Sequence, residues 1–147
     1  MIEDLIRRLL GLEQRVERLE VQERPLSYVP LTTPLTSTSW DGDSFSTTGA
    51  TLIDLSAVFS APAGVKAVAV SVAFRDSGSA AAEVAISLGP SAAVNALEVR
   101  ASGIANDFWT AGSGVVPCDA NGDIYYTISA SGASTAEIIM RIWGYWL

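Results

Sequence analysis

Three polar residues near the C-terminal end have the spacing with which calcium-binding loops begin. Asp119, Asn121 and Asp123 stand at positions i, i+2 and i+4. The pattern then fails, because glycine precedes Asp123 instead of following it and Ala130 occupies the twelfth position, where such loops need a glutamate. The sequence therefore predicts an asparagine–glycine hairpin turn flanked by acidic side chains, and no metal site.

The other residues that could support catalysis form no recognisable set. The sequence has no histidine and one cysteine, which excludes Ser-His-Asp and Cys-His catalysis and histidine-based metal sites. We expect Cys118 to be a buried small residue, because no base can be assigned to it. Asp41, Asp43, Asp54 and Glu83 are carboxylates of the kind that glycosidases use in pairs, but without distances a pairing among them is no better than chance. We expect a non-enzymatic protein with no cofactor.

Two short polar segments each carry a tryptophan beside acidic or amide side chains. Aromatic faces stack on apolar surfaces of ligands, while neighbouring polar groups hydrogen bond to them. The candidate ligand-binding residues are Trp40, Asp41, Asp43, Asn106, Asp107 and Trp109. The alternative is that both tryptophans close the ends of a β-sandwich and bind nothing.

The charge balance excludes two classes of partner. Nine basic residues against sixteen acidic ones give a net charge of −7, which disfavours nucleic acid and anionic membrane surfaces. The sequence starts without the basic segment of a secretory signal. No apolar stretch approaches the roughly 20 residues needed for a membrane span, so we expect no membrane insertion.

Composition divides the chain into three parts: residues 1–24, 25–38 and 39–147. The first is densely charged and ends at Pro25, where a helix must stop. The second contains prolines among serines and threonines and predicts an extended connector. The third predicts a β head. In the first part, apolar residues fill heptad positions a and d: Ile2, Leu5, Leu9, Leu12, Val16 and Leu19.

Charged residues flank this apolar seam in a pattern typical of parallel coiled coils. Arg8 with Glu13, and Arg15 with Glu20, stand at g and at e of the next heptad. Both heptads resemble the short trimerisation motif of parallel three-stranded coils. That motif consists of an arginine, an aliphatic residue, two unrestricted positions, a second aliphatic residue and a glutamate. The resemblance implies a homotrimer, with a dimer and a helix docked on its own chain as alternatives. Three heptads are marginal alone, so we expect the head to contribute to association.

The rest of the chain predicts short strands separated by turn signals, and hence an antiparallel β-sandwich. The predicted strands are 51–59, 65–74, 83–88, 96–101, 123–130 and 136–146. Residues 116–126 and 138–147 resemble the last two strands of complement-type and TNF-like jelly rolls. The whole chain is similar to small phage-encoded fibre and head-fibre proteins, in which a short coil leads into a β head.

These resemblances imply a fold that is mainly β, with an N-terminal trimeric coil and a jelly-roll head. They also imply a homotrimeric virion protein, of phage fibre or capsid or tail decoration type, assembled in the host cytoplasm. Its partners would be a larger particle or a surface glycan. The alternative is a cellular carbohydrate- or ligand-binding trimer, extracellular or at the cell surface by a route without a signal peptide.

Overall fold

The computed structural model describes residues 1–22 and 25–147, with the backbone alone for 19–22. Helix α1 (Ile2–Gln22) precedes a β head that also contains a 3₁₀ turn (Thr38–Trp40) and a short helix, α2 (Leu55–Phe59). The strands are β1 (Tyr28–Leu35), β2 (Asp41–Phe45), β3 (Thr48–Ile53), β4 (Ala67–Asp76), β5 (Ala85–Gly89), β6 (Leu97–Arg100), β7 (Thr110–Pro117), β8 (Ile124–Ser129) and β9 (Ala136–Trp146). Neither helix of the described chain is long and apolar enough to cross a bilayer.

The strands form two antiparallel sheets. Sheet A has the order β1-β9-β4-β7, with β2 pairing with β9 as well, and sheet B has the order β3-β8-β5-β6. Apart from the β5–β6 hairpin, the chain changes sheet at each connection from β2 onward. This alternation is the strand pattern of a jelly roll. The predicted antiparallel sandwich is confirmed.

Strict alternation along the central strands creates the core between the sheets. Half-buried and buried residues alternate along the whole length of β4, as expected for a strand with one face in the core. Its inward side chains are Val68, Val70, Val72 and Phe74. The small side chains of Ala67, Ala69, Ser71 and Ala73 alternate with them on the outer side of the strand.

The segment predicted as a free connector belongs largely to the head. Tyr28–Leu35 form β1, which pairs with β9 through partners that include Tyr28 with Trp146 and Val29 with Tyr145. The interpretation of residues 25–38 as a connector is therefore wrong for β1. Prolines fit this strand because it pairs with β9 on one side only, and an edge strand tolerates missing N–H donors.

Three further elements differ from the sequence prediction: helix α2, strand β2, which was not among the predicted strands, and strand β7. Residues 55–59 are helical, not extended, because Asp54 caps the helix by accepting a hydrogen bond from Ala57 N at 2.9 Å. Strand β7 was not predicted. Its inward positions include Gly112 and Gly114, which carry no apolar signal; a Cβ at Gly112 would lie 2.9 Å from Val99 Cγ2.

Candidate functional site

The predicted coiled-coil seam is exposed along the described part of α1. Leu9, Leu12 and Val16 are 52%, 55% and 50% exposed, and the side chains of residues 1–18 are exposed throughout. The alternative of a helix docked on its own head is wrong for this part of the chain. Leu19 and Glu20 of the predicted seam lie, as side chains, outside the described residues.

Shallow grooves and flanking charges accompany the seam. One opening of 440 Å³ lies around Ile2 and Leu5, and another of 330 Å³ lies between Leu9 and Val16. Arg8 forms a 3.4 Å ion pair with Asp4 one turn earlier, as the i, i+4 spacing predicts. The charged residues predicted to pair between chains, Arg8, Glu13 and Arg15, are all exposed.

Trp40 is a core residue, so its prediction as a ligand-binding residue is wrong. It is 5% exposed, stacks on Phe45 with 4.8 Å between ring centroids, and meets Tyr126 edge-on at 5.0 Å. The 3₁₀ turn that ends at Trp40 directs the indole between the sheets. Polar neighbours in the sequence gave no indication of this turn.

The acidic residues next to Trp40 lie on an edge strand, away from the other candidates. Asp41 and Asp43 are exposed on β2, and Asp41 Oδ1 lies 4.0 Å from Arg141 Nη2. Strands β9 and β4 separate β2 from β7, before which Trp109 lies. Three strand spacings of about 4.8 Å therefore keep Asp41 roughly 14 Å or more from Trp109. The two predicted halves of the site do not converge.

Trp109 lies in a row of side chains at the end of sheet A opposite the start of β1. Arg75 Cζ lies 4.7 Å above its ring centroid, a cation–π distance. Arg75 Nε also donates to Glu137 Oε2 at 2.9 Å. Trp109 is 36% exposed and its neighbour Phe108 is 60% exposed. Phe108 was not singled out from the sequence, although an apolar residue in a polar loop was a signal that could have identified it.

Hydrogen bonds hold the loop that presents these two aromatic residues. Asn106 Oδ1 accepts from Ala80 N at 2.9 Å, so its oxygen is used within the protein. Asp107 has a positive φ of 61° and donates its backbone N–H to Asp76 O at 3.0 Å. Ser79 Oγ donates at 3.1 Å to the carbonyl of the same loop at residue 104. Asn106 and Asp107 therefore shape the loop that carries Phe108 and Trp109.

The residues with calcium-loop spacing form a turn, as predicted, but not a hairpin. Asp119 Oδ1 accepts from the backbone N–H groups of Asn121 and Asp123 at 2.9 and 3.0 Å. Asp123 Oδ1 accepts from Leu55 N at 3.1 Å. Gly122 has a φ of +84°, which favours glycine. The turn joins β7 in sheet A to β8 in sheet B.

The four carboxylates considered as a glycosidase pair occupy three different parts of the head. Asp41 and Asp43 lie on β2 of sheet A. Asp54 caps α2, and hydrogen bonds from Ala57 and Ser56 lower the pKa of its carboxyl. Glu83 precedes β5 in sheet B and lies 3.5 Å from an arginine of β6.

An apolar surface lies at the opposite end of sheet A, and none of its residues was among the predicted site residues. Tyr28 and Trp146 pack with 4.5 Å between ring centroids, and the Tyr28 ring covers Gly144, where a side chain would meet it. Trp143 is 42% exposed and donates from Nε1 to Ser71 Oγ at 3.0 Å. We call this surface the base patch, defined by Tyr28, Ala67, Ala69, Val115, Trp143 and Trp146.

The base patch borders a shallow depression and lies where the chain enters the head. The depression has a volume of 380 Å³ and is lined in part by Ala69, Val115 and Trp143. Ser27 and Leu147 exchange two backbone hydrogen bonds of 3.1 Å beside it. The segment that follows α1 and the end of β9 therefore meet at the same edge of the head.

No protein-family model matches this sequence, and neither does any curated protein sequence. Among solved structures, the chain is similar to the coat protein of Tobacco streak virus, with 7% identity, 84% of this chain and 85% of that chain covered, and a TM-score of 0.41.

Proposed function

We propose that the chain is a non-enzymatic homotrimeric structural protein of a virion, of the phage fibre or capsid or tail decoration type. In this proposal α1 forms a parallel three-stranded coil and carries three jelly-roll heads. The coil end attaches to a larger particle, and the heads stabilise that particle or contact a surface. Multivalent contact through three heads strengthens weak individual contacts.

The exposed apolar seam of α1 is the main observation that supports this proposal. Leu9, Leu12 and Val16 lie on one face of a helix and are half exposed in the single chain. A soluble helix with an apolar stripe that contacts nothing in its own chain gains stability by packing against another helix. The charged residues at g and e beside the seam favour a parallel arrangement.

A trimer is favoured over a dimer by two further features of the helix. The repeated trimerisation motif places Arg8 and Arg15 beside the seam in consecutive heptads. Ile6, at an e position, is 50% exposed and widens the apolar face beyond the narrow a/d seam. A wider apolar face suits three helices better than two.

The virion role rests on composition and architecture. The sequence lacks histidine and carries a net charge of −7, which suits a soluble scaffold that avoids nucleic acid. Jelly-roll heads occur in viral capsid proteins and in lectins. The fold is therefore compatible with both candidate functions, and this part of the argument is a fold-level analogy.

Equilibrium sedimentation of the full chain tests the trimer. The expected mass is about 46 kDa, for three chains of 15.4 kDa. The double variant Leu9→Asp, Val16→Asp should be monomeric, because it places charges in the seam. Its matched control is Leu10→Asp, Gln14→Asp, which adds the same charge to outward heptad positions and should remain trimeric.

A monomeric wild-type chain at tens of micromolar would contradict the proposal, and so would equal dissociation in the two double variants. The virion role has a separate test. Mass spectrometry of purified particles from the source should detect the chain in a fixed ratio to the major coat protein. Its absence from washed particles would leave the trimer intact as a finding but would overturn the virion assignment.

A carbohydrate-binding trimer is the second candidate, favoured by the exposed aromatic pair Phe108 and Trp109. Their loop is held by hydrogen bonds, so little ordering is needed when a ligand stacks on them. Glycan-array binding by the intact chain, lost in Trp109→Ala but kept in Leu52→Ala at an exposed position of β3 outside the base patch, would support it. The absence of binding to any glycan would exclude it.

A further inference from the structure

The base patch is an exposed apolar surface in a strongly acidic protein. Tyr28, Val115 and Trp143 are 47%, 51% and 42% exposed. None of the six residues that define the patch carries a carboxylate, although the chain has a net charge of −7. Lys66, the only lysine of the sequence, lies beside it and donates its backbone N–H to Trp146 O at 2.8 Å. Exposed aromatic and aliphatic side chains without charge are typical of the centre of a protein interface.

The other end of the same face has a different character. Glu137 and Arg75 form an ion pair there, with 2.5 Å between Oε2 and Nη2. Arg141 lies between the two ends of β9 and approaches Asp41 at 4.0 Å. Burying these ion pairs between two copies would cost desolvation free energy that an uncharged surface does not cost. The uncharged end is therefore the part of sheet A at which copies can approach with least electrostatic cost.

The short link to α1 identifies what can reach the base patch. Six peptide units join Gln22 to Tyr28, and they span at most about 20 Å when fully extended. Tyr28 is itself a patch residue, and the backbone bonds between Ser27 and Leu147 fix where the link enters the head. In a coil whose helix axes are about 8–10 Å apart, the three patches are held close to the common axis.

We propose that the base patch is a head-to-head interface between copies of this chain, centred on Trp143 and arranged around the axis of the coil. This inference rests on the proposed homotrimer and locates the contribution that the heads make to it. The three-heptad coil is marginal by itself, and Gly11 lowers its helix propensity. Contact between heads would supply the missing stability.

Two matched substitutions on β4 of the full chain test the interface. Ala69 and Ala73 both point outward from β4 and are half-buried, and they lie about 13 Å apart along the strand. Ala69→Glu introduces a charge into the base patch, and Ala73→Glu introduces the same charge outside it. Ala69→Glu should raise the chain concentration for half-maximal trimerisation by at least about tenfold, because a charge would be buried at the interface. Ala73→Glu should change it by less than about threefold.

A second pair on β7 covers the case in which Ala69→Glu does not fold. Val115→Glu lies in the patch, and Ala111→Glu lies on the same exposed side of the strand outside it. Val115→Glu should weaken the trimer, and Ala111→Glu should not. Near-ultraviolet circular dichroism of the diluted monomers should be unchanged in both.

Each outcome supports or overturns the interface. If the wild type is a trimer and Ala69→Glu and Val115→Glu are as stable trimers as their controls, the interface is overturned. The coil is then sufficient for the trimer, and the proposed function survives. A wild-type monomer overturns the proposed function and the interface together. Selective weakening by the two patch variants supports both.

Discussion

Asp76 and Ser131 lie 55 residues apart in the sequence, yet the buried Asp76 carboxylate accepts hydrogen bonds from both the backbone N–H and the hydroxyl of Ser131. It also accepts from Gly78 N at 2.7 Å and Thr135 Oγ1 at 2.9 Å. The backbone oxygen of Asp76 accepts from Asp107 N. One residue therefore ties together the turn after β4, the turn between β8 and β9, and the loop that carries Trp109.

We expect Asp76→Asn to lower the free energy of unfolding of the head by about 3 kcal/mol. The charged acceptor is lost, and the NH2 group of the asparagine would face N–H and O–H groups that are themselves donors. Urea unfolding followed by tryptophan fluorescence at fixed chain concentration measures this. The control is Asp43→Asn at an exposed position of β2, which should change stability by less than about 0.5 kcal/mol. Similar losses in both variants would contradict the role of Asp76.

The Asp76 carboxylate should also make stability depend on pH. Burial acts to raise its pKa, but hydrogen bonds from Ser131, Gly78 and Thr135 outweigh burial and hold the pKa below its ordinary value. A lowered pKa in the folded state adds stability above the unfolded-state value, and this stability is lost as the pH falls through the folded value. The stability difference between wild type and Asp76→Asn should therefore be constant from about pH 7 to 5 and shrink below about pH 4. A difference unchanged at lower pH would contradict this.

Trp40 and Trp109 should respond very differently to replacement by alanine. Trp40→Ala removes a buried ring between Phe45 and Tyr126 and should cost about 3–5 kcal/mol. Trp109→Ala removes a partly exposed ring and should cost less than about 1 kcal/mol. Thermal and urea unfolding of the two variants provide the comparison. Equal losses would mean that the loop at Trp109 is as important to stability as the core.

Cys118 should be unreactive in the folded protein. Burial, with the nearby carboxylates of Asp119 and Asp123, raises the pKa of its thiol to about 12. At pH 8 the native chain should react with a disulfide reagent at least about a hundredfold more slowly than the urea-unfolded chain, since only the thiolate reacts. Equal rates in the two states would show that the thiol is accessible. Cys118→Ala is the blank for both measurements.

The sequence predicted those strands whose alternation involves large side chains. β4 and β9 were found because Val, Ile and Phe recur at every second position, which is the signal of a half-buried strand. β7 was missed because the inward positions Gly112 and Gly114 have no side chain to count. The helix at 55–59 was read as a strand, because Val58 and Phe59 favour strands and the capping bond from Ala57 to Asp54 is a contact that composition does not reveal.

The candidate site was predicted less well than the fold, because exposure depends on contacts distant in sequence. Trp40 has polar neighbours along the chain, but Tyr126, which packs against it, is far away in the sequence. The base patch depends on a distant contact in the same way. Trp143 and Trp146 stand in an apolar strand, which indicates a core or interface position, and their place beside Tyr28 depends on the pairing of β1 with β9. Trp109 was correctly singled out as exposed, while its contact with Arg75 required the structure.

The paired backbone bonds between Ser27 and Leu147 give the head a direction. A polypeptide fused after Leu147 would emerge beside the start of β1, where the link from α1 enters the head. A protein attached there would lie near the link to α1, while the loop carrying Phe108 and Trp109 would remain accessible at the opposite end of sheet A. Peptides inserted into that loop would instead be displayed outward, so the two positions offer separate inward and outward attachment points for engineering.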